Sequence, residues 1–492
     1  MAQTFSAEQL PTFGLWMDGD DLDRNPEQRR EYERLSAYWE RVVFGPESDK
    51  LKEEVMRDVI RAKSQGDEQE MYFIRKFSTY RTQYQSWLTN HKEDDVVVQH
   101  RDLSVFLMLV RTYAEIFDVG LYYLFSHTNV IDNIHIVGTA MTCIHEDGRC
   151  LLATLPYTKT VSGASKLTNQ YASRVGKRVD IAFPHNNLDT PRAHRMAVRI
   201  KTPADGFIAN IRLHRASNPT QKGMVDYGFI TWEALNFIQR LVRTALPGMI
   251  SGAPGSAKTT FLRTLIYAMP PWEPVFIVEH APELFVDSLL DDNQRPWLKI
   301  VHAHVVQGAN SEGVGAIPFA EIFQWGLQED VRRFVVGEIA DRESMSTFIH
   351  ALQTGQSGAL ATIHANSVED TVNRMATLLA SEYQREVAWE NIGTNLRWIV
   401  HCAIRQPAQP GQRVTRFVTG IGLVIHREFG SPPQVLHAYR RDATTHALER
   451  ADDFDVCLSI LQNSERERFG ETLGDELPKD RPFRHTQGGF HA

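Results

Sequence analysis

Three short segments in a row constrain this chain more than anything else in it. An apolar strand, Met249-Ile250-Ser251, runs into a glycine-rich loop, Gly252-Ala253-Pro254-Gly255-Ser256-Ala257-Lys258-Thr259, and then into a helical pattern, Thr260-Phe261-Leu262-Arg263-Thr264-Leu265. Strand, loop and helix in that order form the setting a phosphate-binding loop requires. Backbone N–H groups of such a loop and the following helix N-terminus cradle phosphate oxygens. Gly252, Gly255, Ser256, Ala257, Lys258, Thr259 and Thr260 are thereby the candidate nucleotide-binding residues, with Lys258 reaching the β/γ-phosphates and the Thr259 hydroxyl a ligand for Mg²⁺. The one deviation is Ala257, where the pattern has glycine; its Cβ crowds the loop and disfavours positive φ.

The 492-residue length allows two to four domains, and 42% hydrophobic with 23% charged residues describes a soluble globular chain. Fifty-three basic against 61 acidic residues give a net charge of −8, which lends no support to direct nucleic-acid binding. Cys143, Cys150, Cys402 and Cys457 contain no CxxC pair, so neither a zinc site nor a disulfide framework is indicated and a reducing cytosol fits. The N-terminal MAQTFSAEQL has no signal pattern, and no apolar run reaches ~18 residues, so membrane association is expected only through a partner.

Residues 1–125 read as a helical region. Asn25, Pro26 and Gln28 form an N-terminal capping signal, followed by Leu35, Tyr38, Trp39, Val42 and Val43 on one face. Further helices are expected near 48–64, 68–90 and 102–125. Residues 126–245 read as a small α+β domain with hairpin strands at 134–145 and later strands at 196–200 and 207–213, closed by a linker helix opened by Thr231. Over 246–445 strands and helices alternate, which implies a mainly parallel sheet. Residues 446–492 read as a mobile charged tail.

Polar residues stand just past the buried strands. Glu279 follows Val275–Val278, with Glu283 four residues on; Glu338 follows Phe334–Gly337; His364 follows Ala359–Ile363. Ligands of open α/β sheets bind outside the carboxyl ends of the strands. Phosphate clamp, metal ligand, water-orienting base and γ-phosphate sensor make up the kit for nucleotide hydrolysis. Taken singly, each of these residues is as well explained as a polar strand end, and His364 as a structural histidine. Their convergence gives the catalytic candidates Glu279, Glu283, Glu338 and His364.

These segments together resemble the type II/type IV secretion ATPases, in the branch that includes the CpaF/TadA pilus-assembly ATPases. Val336-Gly337-Glu338 resembles that family's Walker B, the run Thr354–Ser367 ending in His364-Ala365-Asn366-Ser367 its histidine box, and Ile277–Leu284 its acidic box. Upstream, Val130–Gly138, Arg174–Asp180 and Ile211-Arg212-Leu213 are similar to segments of its N-terminal domain. The resemblance implies a RecA-like ATPase domain preceded by a PAS-like domain, with ATP and Mg²⁺ bound, Glu283 as general base, Glu338 and Thr259 at the Mg²⁺, and phosphate contacts from Arg212 and less directly Arg195. It implies a hexameric motor powering a secretion, Tad-like pilus or conjugation apparatus, docked on an inner-membrane platform protein at the cytoplasmic face.

The chain departs from the family at the site itself. Ala257 replaces a loop glycine, His280 an acidic-box Asp, Ala340 an arginine after Walker B, and Gln356 the first histidine of the box; Gln328-Glu329-Asp330 and Gly308-Ala309 lack the family's basic residues. One arginine can be worth ~10³-fold in phosphoryl transfer. Arg332, Arg333 and Arg342 are the candidates to replace them. The departures support a second reading, a nucleotide-gated scaffold beside an active paralogue. A RecA-like helicase is disfavoured by the acidic balance and the lack of a basic, aromatic-interleaved stretch.

Overall fold

The structure is a computed structural model that describes, with short internal gaps, residues 46–64, 69–90, 131–154, 177–212 and 220–473, together with isolated residues elsewhere. The capping signal at 25–28 and most of the helix expected near 102–125 lie outside the described residues. The chain forms two compact units, residues 1–215 with 407–413, and residues 216–406 with 414–492.

In the first unit, helices α1 (Pro46–Ser64) and α2 (Gln69–Asn90) pack together. The helix expected near 68–90 buries Phe73, Tyr80 and Tyr84 from its aromatic set, four to seven residues apart on one face, as core rather than ligand box. Strands β1 (Trp16–Met17), β2 (Ile131–Val137), β3 (Ala140–His145), β4 (Cys150–Thr154), β5 (His185–Asp189), β6 (Arg195–Ile200) and β7 (Phe207–Arg212) form one sheet in the order β1-β4-β3-β2-β7-β6-β5. Every pairing in it is antiparallel. Ile134, Ile136, Val198, Ala209 and Ile211 alternate inward along their strands, the period of a half-buried sheet.

The second unit begins with α3 (Gln221–Asp226) and α4 (Trp232–Arg243). Thr231 caps α4 through its hydroxyl, which accepts from the Ala234 N–H, and the predicted face Leu235, Ile238, Leu241 and Val242 is buried. Then follow β8 (Gly248–Gly252), α5 (Lys258–Ile266), β9 (Val275–Glu279), β10 (Val301–Val305), α6 (Phe319–Gln328), β11 (Arg333–Ile339), α7 (Arg342–Gln353), β12 (Leu360–Ile363), α8 (Val368–Leu379), α9 (Arg385–Asn395), β13 (Trp398–Arg405), β14 (Thr415–Ile425), β15 (Gln434–Arg441), β16 (Leu448–Arg450) and α10 (Phe454–Phe469). The sheet order is β10-β9-β11-β12-β8-β13-β14-β15-β16. From β10 through β13 the strands are parallel; β14, β15 and β16 continue it antiparallel.

Both faces are covered. Val275, Ile277, Ile250 and Val335 point into a core shared with α4, α5 and α10, while Phe276, Val278, Met249 and Val336 point into one shared with α6–α9. Adjacent residues thus feed opposite cores, which is why these strands read as continuous apolar runs. This helix–sheet–helix layering around a parallel sheet is the RecA-like α/β architecture that the resemblance implies.

The sequence expectation of a mobile tail from 446 is corrected over 448–469, where the structure has β16 and α10. Phe454, Cys457 and Leu461 recur at helical spacing and are buried in the core under α4. Glu465, one turn on and fully buried, takes a bidentate hydrogen bond from Arg240 of α4, at 2.7 and 2.8 Å. Among the described residues no helix is long and apolar enough to cross a membrane.

Candidate nucleotide-binding site

The loop leaves β8 through Gly252 at φ 149 and turns at Gly255 at φ 74. A Cβ on Gly252 would stand 2.0 Å from the Cys402 carbonyl oxygen and 2.7 Å from Ser256 Oγ, so glycine is required there. Ala257 sits in the left-handed region at φ 70, ψ 26, immediately before α5. For a residue with a Cβ this conformation costs roughly 1–2 kcal/mol. The fold therefore keeps the glycine geometry of the loop in spite of the alanine.

Lys258 is buried, and its Nζ donates to the Ala253 carbonyl at 3.0 Å. It also lies 3.1 Å from His364 Nδ1, and His364 Nε2 lies 2.8 Å from Glu338 Oε1. A protonated Lys258 can only donate, so His364 Nδ1 accepts and its proton resides on Nε2, donated to Glu338. The Gly252 carbonyl, also 3.1 Å from Nδ1, then has no proton to accept from the ring. A lysine, a histidine and a carboxylate are in this way linked across the carboxyl ends of β8, β12 and β11.

Local structure sets each partner. The β11–β12 register shifts between Val336 and Ile339, an irregularity that re-aims Glu338 outward. The Thr362 hydroxyl donates 2.6 Å to the Gly337 carbonyl and pins this distortion. Beyond His364, Ser367 caps α8 by accepting from the Asp370 N–H, and Asp370 accepts from the Asn366 backbone and side chain at 2.9 and 3.0 Å. The Asn-Ser half of the histidine box is thus a helix start that fixes the direction of the histidine. Thr371 of α8 donates 2.7 Å to Ser251 of β8, and His401 of β13 lies 3.3 Å from the Ala365 carbonyl.

Glu279 and Glu283 differ in environment. Glu279 is 6% exposed, and burial pushes its carboxyl up to about 7 against the opposing effect of two backbone hydrogen bonds. Its Oε1 accepts from the Glu283 and Leu284 N–H groups, each at 2.9 Å. Glu279 therefore shapes the turn that carries Glu283, which is half-buried. Gly337 makes room for it, since a Cβ there would meet Glu279 Cγ at 3.0 Å. Arg263 of α5 is buried beside this turn, 3.4 Å from the Phe285 carbonyl, with its pKa brought down to about 10 by burial.

Of the departures, His280 stacks on Phe319 at 5.9 Å with Nε2 buried and unpartnered. Gln356, Gly308, Ala309 and Asp330 lie outside the described residues. Arg333 cannot replace a phosphate-facing arginine. It is fully buried at the amino end of β11, opposite the loop, held by Glu273 and by the Val242 and Arg243 carbonyls. Arg332 precedes it at the same end, and Arg342 opens α7 just past the carboxyl end of β11. Arg212 closes β7 in the first unit, exposed, in register with Asn133 and Arg195.

One residue at the loop escaped the sequence reading. Arg416 Nε donates 2.8 Å to the Gly255 carbonyl from 161 residues away. It lies in no motif, and only the position of β14 two strands from β8 brings it there.

The residues fit a phosphate group. Ser256 Oγ, fully buried in the loop, has no hydrogen-bond partner, and Lys258 Nζ is directed at a carbonyl and a histidine nitrogen where an anion would satisfy it better. Among the described residues no cluster of three or more His, Cys, Asp or Glu side chains is arranged to hold a metal. Mg²⁺ on a nucleotide needs no such cluster, because phosphates and water supply most of its ligands.

The sequence profile described as type II/IV secretion system protein matches residues 172–412. A Mycobacterium tuberculosis protein named for conjugal transfer is 27% identical over 224 residues, 44% of this chain and 60% of its own length. Protein VirB11 of Rhizobium radiobacter is 27% identical over 148 residues, covering 30% of this chain and 40% of its own. The chain thus spans 60% or less of these curated relatives. Among solved structures, the Legionella pneumophila ATPase DotB aligns with a TM-score of 0.42 at 19% identity, covering 66% of this chain and 81% of that one. The matched segment contains the loop, the linked lysine, histidine and glutamate, and the strands that hold them, and over residues 172–412 the chain is similar to the type II/IV secretion system protein family.

Proposed function

We propose that this chain is an ATP-hydrolysing motor subunit of a secretion, Tad-like pilus or conjugation apparatus. The observation that carries the reading is the linkage of Lys258, His364 and Glu338 across three strand ends beside the phosphate loop. Relatives named for conjugal transfer and VirB11 support the secretion setting. In this reading Lys258, Ser256 and the loop amides hold the β- and γ-phosphates, with Gly252 and Gly255 giving the backbone its approach. Glu283 orients and deprotonates the attacking water, on a turn shaped by Glu279. His364 senses the γ-phosphate, since an anion that draws Lys258 away from it frees Nδ1. Thr259 and Glu338 would hold Mg²⁺, which supplies positive charge against the phosphate oxygens. Arg212 is proposed as a phosphate contact from the N-terminal domain, with Arg195 a weaker candidate. The working form is a homohexamer, peripheral at the cytoplasmic face of the membrane on an inner-membrane platform protein.

ATP turnover by the purified protein with Mg²⁺ tests this, alongside Lys258→Ala and Glu338→Gln. Turnover lost in both variants is expected. Unchanged turnover in Lys258→Ala refutes the reading. ATP binding without turnover in the unsubstituted protein replaces it with the nucleotide-gated scaffold, which the missing arginines favour.

A further inference from the structure

The carbonyl of Gly255 and the N–H of Ser256 lie on opposite edges of one planar trans peptide unit. Arg416 Nε grips the carbonyl edge at 2.8 Å, and the Ala253 carbonyl takes the Ser256 N–H at 3.2 Å. The plane between them is therefore clamped from both sides. Directly after it comes Ala257 at φ 70, a region that glycine enters freely and alanine does not. Ile404 Cδ1 of β13 lies 3.7 Å from the Cβ position of Gly255, an ordinary packing distance. Ser256 Oγ, buried and unpartnered, hangs from the same clamped unit.

We infer that Arg416 is a positioning residue for the phosphate loop, holding the Gly255–Ser256 peptide so that the loop keeps at Ala257 a turn that glycine would take unaided. A sequence with alanine at this point needs an external hold, and the guanidinium from β14 supplies it. The consequence for nucleotide affinity rests on the function proposed above; the loop-holding role itself does not.

Amide hydrogen exchange of the full chain without nucleotide tests it, following peptides that cover 252–260 in the unsubstituted protein, Arg416→Ala, Ala257→Gly and the double variant. Arg416→Ala should speed loop exchange about tenfold in the Ala257 background and less than about threefold in the Ala257→Gly background, with β13 and β8 unaffected. Arg416→Lys, which keeps a charged donor, should recover part of the protection and serves if the alanine variant folds poorly. Unchanged loop exchange, or equal acceleration in both backgrounds, overturns the inference. The same four proteins are then titrated with ATP. About fivefold weaker binding for Arg416→Ala is expected with Ala257 and little change when Ala257→Gly is also present. Equal weakening in both backgrounds marks Arg416 as a plain phosphate cation and overturns the positioning role. If the unsubstituted protein binds no ATP while the exchange result stands, the nucleotide reading fails and the loop-holding role survives.

Discussion

His364 Nε2 lies 2.8 Å from Glu338 Oε1, while the other nitrogen of the same ring lies 3.1 Å from Lys258 Nζ. One imidazole thus joins Lys258 to Glu338. His364→Gln should lower ATP turnover about 10²-fold, the range for a positioned proton-handling group, while ATP affinity changes less than about threefold. Steady-state turnover and equilibrium binding separate the two effects. A large loss of affinity with intact turnover would contradict a sensing role.

Glu279 makes stability depend on pH. Burial raises its carboxyl from 4.5 to about 7, so across that interval the folded chain keeps a proton that the unfolded chain has released. Its contribution is full below about pH 4.5 and is lost as pH rises through about 7. Glu279→Gln keeps an acceptor for the Glu283 and Leu284 N–H groups without the charge. Denaturant unfolding should show similar stability for the two proteins at pH 5, and at pH 8 a variant more stable by on the order of 2–3 kcal/mol. The same difference at both pH values would count against this assignment.

The Arg240–Glu465 pair is buried, with side-chain exposures of 7% and 0%. Removing one partner leaves an uncompensated buried charge, worth about 3–5 kcal/mol. Glu465→Ala should lower stability by about that much and open the chain beyond residue 451 to proteolysis. Arg240→Met with Glu465→Leu should recover most of the loss, because two apolar side chains carry no desolvation cost. A double variant as unstable as the single one would mean that packing rather than charge is at stake.

Gly248 faces the indole of Trp398, the largest fully buried side chain among the described residues. A Cβ at Gly248 would come within 2.0 Å of the indole, and Trp398 Nε1 is already committed to the Leu246 carbonyl at 2.8 Å. Gly248→Ala should cost about 3 kcal/mol or more by overpacking. Soluble yield and denaturant unfolding measure it; a stability within about 1 kcal/mol of the unsubstituted protein would show that the indole can move.

What could be read in advance was local. The runs around Val275–Val278 and Phe334–Val336 marked buried strands because each residue feeds one of two cores. The polar residues after them stand at the carboxyl ends of those strands. The loop announced itself through glycines whose φ values the structure shows to be positive. What escaped the reading was relational. Arg333 looked like a spare cation because sequence shows a charge but not which end of a strand it closes. Arg416 is joined to the loop only by strand order. The helix at 454–469 was hidden by its charged Ser464–Arg468 run, although Phe454, Cys457 and Leu461 already had helical spacing.

The bond between Arg240 and Glu465 spans 225 residues of chain. A polypeptide leaves the ribosome from its amino end, so helix α4 is made early and waits for its charged partner until α10 emerges. For most of its synthesis the second unit holds a cation destined for burial with nothing to neutralise it, and Cys457 and Leu461, which finish the core under α4, are not yet made. Completion of this unit therefore waits until α10 has been made.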